Sequence, residues 1–440
     1  VKIISEATPD FPYQLRTWTS TESIDSAGKV DEPAKAWNRA VIQGFHGAEP
    51  EEQAQEKIVA SIAKDQQQIY AIYPSEIRPG SLPATDPVAT YSSFVGTLNV
   101  GEALLATDMI TAVTVRPSHR RRGILSRMIS TDLTAAKEQG VPMAALTASE
   151  ATIYGRFGFG EANRYRSITV DTSLGFALRS APVGTVELAP ADTAGQVQAE
   201  LFKSFHAATF GSISRPDHYR AMVSGEWTFD NPERDSKVRV AVHYAVDGSI
   251  DGYLSYKHLG YQSQPVTLEV IDLLALNPQA YLALWQFLAD VDLSSAVNWD
   301  GAPANDPLLW ALADSRRYKV NREVDSLWLR PLDIPVLLNA RRYFGAGQIV
   351  LKVNDRLNLA AGRFALTVRD GKGHTEVLSA EGPADIEMDV AALGSLYLAG
   401  VSARTLWEAG RLDFGTEAAA VELFDEIFRT PVQPVSRTDF

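Results

Sequence analysis

The sequence predicts an α+β (α/β) chain of three units built on mixed sheets, and three observations carry that expectation. Its 440 residues correspond to about three domains at roughly 150 residues each. A strand, a proline turn and an amphipathic helix follow one another at 109–136, and the same succession returns at 266–291. From 327 a separate alternation of strands and helices begins. The expected units are 1–175, 176–326 and 327–440.

In the first unit, 33–47 and 51–64 read as helices, 69–73 as a short strand and 79–93 as a loop rich in Pro, Ser and Thr. Strands are expected at 94–100 and 109–115, where β-branched residues partly alternate. Ile124, Leu125, Met128, Ile129, Leu133 and Ala136 then recur at helical spacing. A strand at 141–148, a short helix with glycine turns at 151–160 and a strand at 165–170 close the unit. After a linker at 171–187, the second unit offers a helix at 194–210, strands at 238–245, 252–259 and 266–277, and a helix at 280–291. Asn277-Pro278-Gln279-Ala280 stands where the first unit has arginines and a glycine, so the second reads as a duplicate without that loop. The third unit starts at 327–340, continues through strands at 349–353 and 363–370 and a strand–helix–Gly–helix–Gly run at 385–412, and ends in a helix at 418–428.

Composition excludes several classes. There is no cysteine, hence no disulfide, no Cys-held zinc or iron–sulfur cluster and no thiol nucleophile. With 41 Lys and Arg against 54 Asp and Glu, the net charge of −13 argues against nucleic acid and favours cationic partners. The seven histidines lack metal-binding spacing, so no metal is expected. No apolar run approaches about 18 residues, and the opening segment lacks the pattern of a signal peptide. The expectation is a cytoplasmic protein with no membrane partner.

The sharpest chemistry lies at 113–126. A strand, Pro117, Arg120-x-x-Gly123 and a helix make a cradle for a diphosphate. The N–H groups of a first helical turn are unsatisfied and the dipole adds positive charge. Gly123 permits close backbone approach, and Arg120, Arg121 and Arg122 add charged donors.

VTVRPSHRRRGILSRMI (113–129) resembles motif A of the GCN5-related N-acetyltransferases (GNAT), which bind acetyl-CoA through [RQ]-x-x-G-x-[GA]. Leu125 departs from the last small position. HRRRG followed by two aliphatics is similar to the enhanced intracellular survival (Eis) family of aminoglycoside acetyltransferases. SEATIYGRFGFG (149–160), IEMDVAALGSLYLAG (386–400) and the ending VQPVSRTDF (432–440) resemble further segments of that family. The resemblance spans nearly the whole chain. It implies two GNAT-like units, only the first with a cofactor loop, followed by a sterol-carrier-protein-like unit. It also implies a homohexamer.

By the same resemblance, Val113, Thr114 and Val115, with Ser149 and Glu150 on the neighbouring strand, contact the acetyl group and pantetheine arm of acetyl-CoA. Arg121, Arg122, Gly123, Ile124, Leu125 and Ser126 surround its pyrophosphate. Acetyl transfer needs a neutral amine, donors for the developing oxyanion and a proton for the departing thiolate. Reference values of about 10 for Tyr and about 8.5 for a thiol suit that proton transfer. The resemblance makes Tyr154 the general acid and the Phe440 carboxylate the general base. From residues alone, Tyr154 is one of 15 tyrosines and a frayed tail is the default reading of a terminus. Without cysteine, an acetyl-cysteine route is closed and transfer is direct. Trp37, Phe45 and Asp439 are candidates for the substrate pocket, with core packing the competing role for the two aromatics.

The implied substrates are polycationic amines such as aminoglycosides, drawn to an acidic pocket. A protein or peptide lysine acetyltransferase and a lipid or sterol carrier remain alternatives.

Overall fold

The computed structural model describes residues 1–229, 232–262, 264–415 and 418–440. Among these residues the strands form sheets of eight, seven and five. The first runs in the order Lys2–Ser5, Tyr13–Thr19, Gln68–Pro74, Ala89–Asn99, Leu104–Val115, Met143–Thr147, Leu327–Pro331 and Gly160–Glu161. Its one parallel pair is Leu104–Val115 with Met143–Thr147. The second runs Tyr318–Asp325, Arg164–Asp171, Ala296–Pro303, Thr267–Ala275, Ile250–His258, Val238–Tyr244 and Thr185–Leu188, with Thr267–Ala275 and Ala296–Pro303 parallel. The repeated strand–turn–helix thus sits at the same point of two similar sheets, since a parallel pair needs a crossover helix. Those helices are Ile124–Glu138 and Pro278–Ala289.

The sheets do not respect the expected cuts. Arg164–Asp171, expected in the first unit, pairs with Ala296–Pro303 and Tyr318–Asp325 in the second. Leu327–Pro331, expected in the third, pairs with Met143–Thr147 in the first. The chain leaves and re-enters the first sheet, and partner choice rests on contacts far apart in sequence. The loop expected at 79–93 is already strand from Ala89, where the buried face of Ala89–Asn99 begins. The linker at 171–187 ends in a short strand, Thr185–Leu188. Ser149 and Glu150 lie beyond the strand, which stops at Thr147, in the turn before the helix Ala151–Tyr154.

In the third unit Ile349, Leu351, Phe364, Leu366 and Met388 are covered by Leu338, Leu396, Phe424 and Phe428 in one core. Its helix Val390–Tyr397 is buried along its whole length. A Cβ at Gly160 would collide with the Ala391 carbonyl, one at Gly394 with the Leu329 carbonyl, and one at Gly400 with the Ala162 carbonyl. The third unit therefore presses backbone to backbone against the first sheet. Among the described residues, no helix is long and apolar enough to cross a membrane.

Candidate active site

The site begins with a fork. Leu104–Val115 pairs in parallel with Met143–Thr147 only from Thr107 to Met109, yet runs on to Val115. Ala112 adopts a positive φ of 53°, and the register with the strand Ala89–Asn99 shifts between Thr90 and Ser92. This is a bulge, which turns the strand and re-aims its backbone. Thr90 fixes it, donating to the Ala112 carbonyl at 2.8 Å and meeting the Thr114 hydroxyl at 2.6 Å. Val113 and neighbouring residues thereby face an open cleft.

Beyond the fork, Pro117–His119 forms one 3-10 turn, and Arg121 and Gly123 take left-handed φ of 62° and 76°. The space around Gly123 is open, so its conformation rather than a close neighbour requires glycine. No side chain caps the helix Ile124–Glu138, which leaves its first N–H groups free for an anion. In the second unit Asn277 accepts from the Ala280 N–H and closes that end. Arg120, Arg121, Arg122 and Ser126 are exposed around the open end and Leu125 is half-buried. Ile124 is buried in the core, so only its backbone can serve a phosphate. Arg122 donates to the Tyr13 hydroxyl at 3.1 Å, and the same hydroxyl meets His119 Nδ1 at 3.0 Å. Burial, helped by Arg122 and Arg116, lowers the His119 pKa, which keeps it neutral at pH 7.

A cavity of about 1000 Å³ joins the fork to the second unit. Ala112, Val113, Thr147, Ser149 and Tyr154 line it from the first unit, and Asp439 and Phe440 enter from the tail. Tyr154 closes the helix Ala151–Tyr154 and is followed by the turn Gly155–Phe157 and Gly158 at φ 89°. Its ring meets Phe159 edge-on at 6.2 Å. Burial, with Glu150 adding a smaller push, raises its pKa to about 12. Tyr154 therefore keeps its proton at neutral pH.

The tail is anchored rather than frayed. Val435 N–H donates to the Phe210 carbonyl at 2.9 Å, and the Arg437 carbonyl accepts from Arg215 and Tyr219 at 2.7 and 3.0 Å. Thr438 is buried and donates to the Ile213 carbonyl at 3.2 Å. At Phe440 the main-chain oxygen accepts from the Thr147 hydroxyl at 2.6 Å, and the ring meets Phe94 edge-on at 6.3 Å.

Trp37 and Phe45 both line the cavity, but differently. Trp37 is 2% exposed, donates to the Tyr70 carbonyl at 3.1 Å and packs with Trp18 and Tyr73. Phe45, 56% exposed, follows the helix Glu32–Gly44 and lies on the cavity's open side. The far wall was not visible in the sequence. His218, Tyr219 and Met222 come from the helix Asp217–Val223, and Phe229 follows. Pro216 and Asp217, with apolar Tyr219, Met222 and Val223 at helical spacing, were the available signal. Burial lowers the His218 pKa to about 4, and Phe229 lies 5.0 Å from its ring. Among the described lining residues, aromatic groups outnumber the carboxylates of Asp235 and Asp439, and Lys257 stands 3.8 Å from Asp235.

A parallel pair splayed by a bulge, followed by an uncapped arginine-rich helix start, defines the acetyl-CoA-using GNAT acetyltransferases. Residues 31–162 and 211–330 each match an acetyltransferase (GNAT) domain model, and 334–437 match a sterol carrier protein domain. The chain is 35% identical over 433 residues to an uncharacterized N-acetyltransferase of Streptomyces griseus, covering 96% of this chain and 98% of that one. It is 34% identical over 321 residues to N-acetyltransferase Eis of Mycobacterium tuberculosis, covering 71% of this chain and 75% of that protein. The crystal structure of Eis1 from Mycobacterium abscessus superposes with a TM-score of 0.76 at 26% identity, covering 97% of this chain and all of that one. The chain belongs to the Eis family of GNAT N-acetyltransferases.

Proposed function

We propose that the protein moves acetyl from acetyl-CoA directly to amines of polycationic substrates such as aminoglycosides, with Tyr154 as general acid and Phe440 as general base. One observation carries this reading: Tyr154, Asp439 and Phe440 line a single cavity at the fork.

Bound acetyl-CoA supplies the thioester. The uncapped N–H groups at 124–126 and the exposed arginines 120–122 suit its phosphates. The backbone of Val113–Val115, unpaired with the parallel strand beyond Met109, offers hydrogen bonds to an amide-bearing arm. The α-carboxylate proposed as base at Phe440 has a reference pKa of about 3.5 and is ionised at pH 7. It takes a proton from the substrate ammonium, freeing the lone pair that attacks the thioester carbonyl. As the carbon–sulfur bond breaks, the Tyr154 hydroxyl gives its proton to the sulfur. Phe45, Phe229 and Tyr219 supply aromatic faces for a cationic amine, and Asp439 supplies charge.

Release of free thiol from acetyl-CoA on adding neomycin, followed with a thiol reagent, tests the reading. No release with neomycin, polyamines or lysine peptides would overturn it, and release with peptides alone would make the enzyme a lysine acetyltransferase. The apolar strand and helix faces of the third unit pack on one another as a core, which favours a structural role over a lipid carrier, and lipid extraction of the purified protein tests that. A homohexamer is part of the proposal, and a native mass six times 48.0 kDa is its check.

A further inference from the structure

The fork of the first unit has a counterpart in the second. Thr267–Ala275 and Ala296–Pro303 pair from Thr267–Ala296 to Val270–Trp299, and both strands then run on unpaired with each other. The helix that follows is closed by Asn277, so this fork does not suit a phosphate-bearing ligand. The chain's own tail enters it, residues 436–439 lining a small cavity together with Ile271, Asp272 and Trp299. The Arg437 guanidinium lies 4.5 Å over the Trp299 ring, and its Nε and Nη1 are sealed from solvent. Arg215 gives two parallel hydrogen bonds of 2.8 Å to Asp272 on the strand Thr267–Ala275, with both side chains 5% exposed. The same guanidinium donates at 2.7 Å to the Arg437 carbonyl, which the Tyr219 hydroxyl also reaches at 3.0 Å. A Cβ at Gly211 would meet Pro434 at 2.6 Å, so the segment before Arg215 is shaped to the tail as well.

We propose that the second acetyltransferase-like unit is the seat of the tail, with Arg215 as a positioning residue for acetyl transfer. Arg215 fixes the Arg437 carbonyl, and through it the stretch Thr438–Phe440 that reaches the cavity. This rests on the reading of Phe440 as the base. A duplicated fold without its cofactor loop thereby holds a reacting group for its neighbour. The fork geometry of guanidinium is essential, because an ammonium cannot bind Asp272 bidentately and a carbonyl at once.

The test uses the full chain with acetyl-CoA and neomycin, comparing wild type, Arg215→Lys, Tyr219→Phe and a chain lacking Phe440. Tyr219→Phe removes one hydroxyl and leaves the buried ion pair intact, so it answers even if Arg215→Lys does not fold. Arg215→Lys should lower kcat by about ten- to a hundredfold, as expected for a misplaced reacting group, with KM for acetyl-CoA near that of wild type. Carboxypeptidase should remove Phe440 faster from both variants than from wild type. If loss of Phe440 lowers kcat, the seat requires both effects, and absence of either overturns it. If loss of Phe440 leaves kcat unchanged, the base assignment falls, and tail release alone decides the seat: faster release upholds it and unchanged release overturns it.

Discussion

The Thr147 hydroxyl donates at 2.6 Å to the main-chain oxygen of Phe440, joining positions 293 residues apart. Thr147 ends the strand that forms one arm of the fork. Thr147→Val keeps the shape and removes the donor. One such bond is worth about 1 kcal/mol, so kcat should fall by about fivefold with little change in melting temperature. Steady-state kinetics at saturating acetyl-CoA check this, and an unchanged kcat would show that Phe440 is placed without Thr147.

Tyr154→Phe removes the proposed acid. Turnover should fall about 10²- to 10⁴-fold, while acetyl-CoA binding, read by calorimetry, stays close to wild type. The pH dependence follows from burial, which raises the Tyr154 pKa to about 12. The acid keeps its proton up to that pH, so kcat should show no descending limb between pH 7 and 10. A descending limb there, absent from Tyr154→Phe, would contradict the shift.

Asp65 ties the two acetyltransferase-like units together. Its carboxyl oxygens accept the Asp217 N–H at 3.0 and 3.2 Å, at the start of the helix that carries His218 and Tyr219. Burial, with a smaller push from the Asp217 charge, raises its pKa to about 6, against about 3.9 unfolded. The folded state therefore favours the protonated form. Its stabilising contribution is fully present below about pH 4 and is lost as pH rises through 6. Wild type should lose about 2 kcal/mol across that window, and Asp65→Asn should not. Urea unfolding at pH 4 and pH 7 gives the comparison, and parallel losses in both chains would refute it.

The third unit braces the Tyr154 turn. Arg330 and Asp355 form a buried ion pair in which Nη2 donates to both carboxylate oxygens at 2.8 and 2.7 Å, and Arg330 Nε also donates to the Phe157 carbonyl at 3.2 Å. Asp355 belongs to the loop after the third sheet's strand Gly347–Asn354. Arg330→Met leaves a buried carboxylate unpaired and should cost about 3–5 kcal/mol, with a lower kcat as the turn after Tyr154 loosens. Gly160→Ala tests the same contact, because the added methyl meets the Ala391 carbonyl and overpacking of this kind costs about 1–3 kcal/mol. Unfolding midpoints near wild type in both variants would show that the units dock independently.

The sequence by itself determined what is local. Apolar spacing from Ile124 to Ala136 set the helix, Pro117 and Gly123 set its entry, and three arginines marked its open end. The glycines after Tyr154 likewise announced a turn. Sequence patterns also showed that a second strand–turn–helix repeats the first without its loop. The tertiary structure decided which sheet each strand joins, sending Arg164–Asp171 to the second and Leu327–Pro331 to the first. It alone brought His218, Tyr219 and Phe229 to the cavity wall and laid the tail against Arg215 and Thr147. The physical reason is range. Helix starts and left-handed glycines are fixed by a few neighbouring dihedrals, whereas strand partners and a docked tail depend on buried contacts between residues hundreds of positions apart.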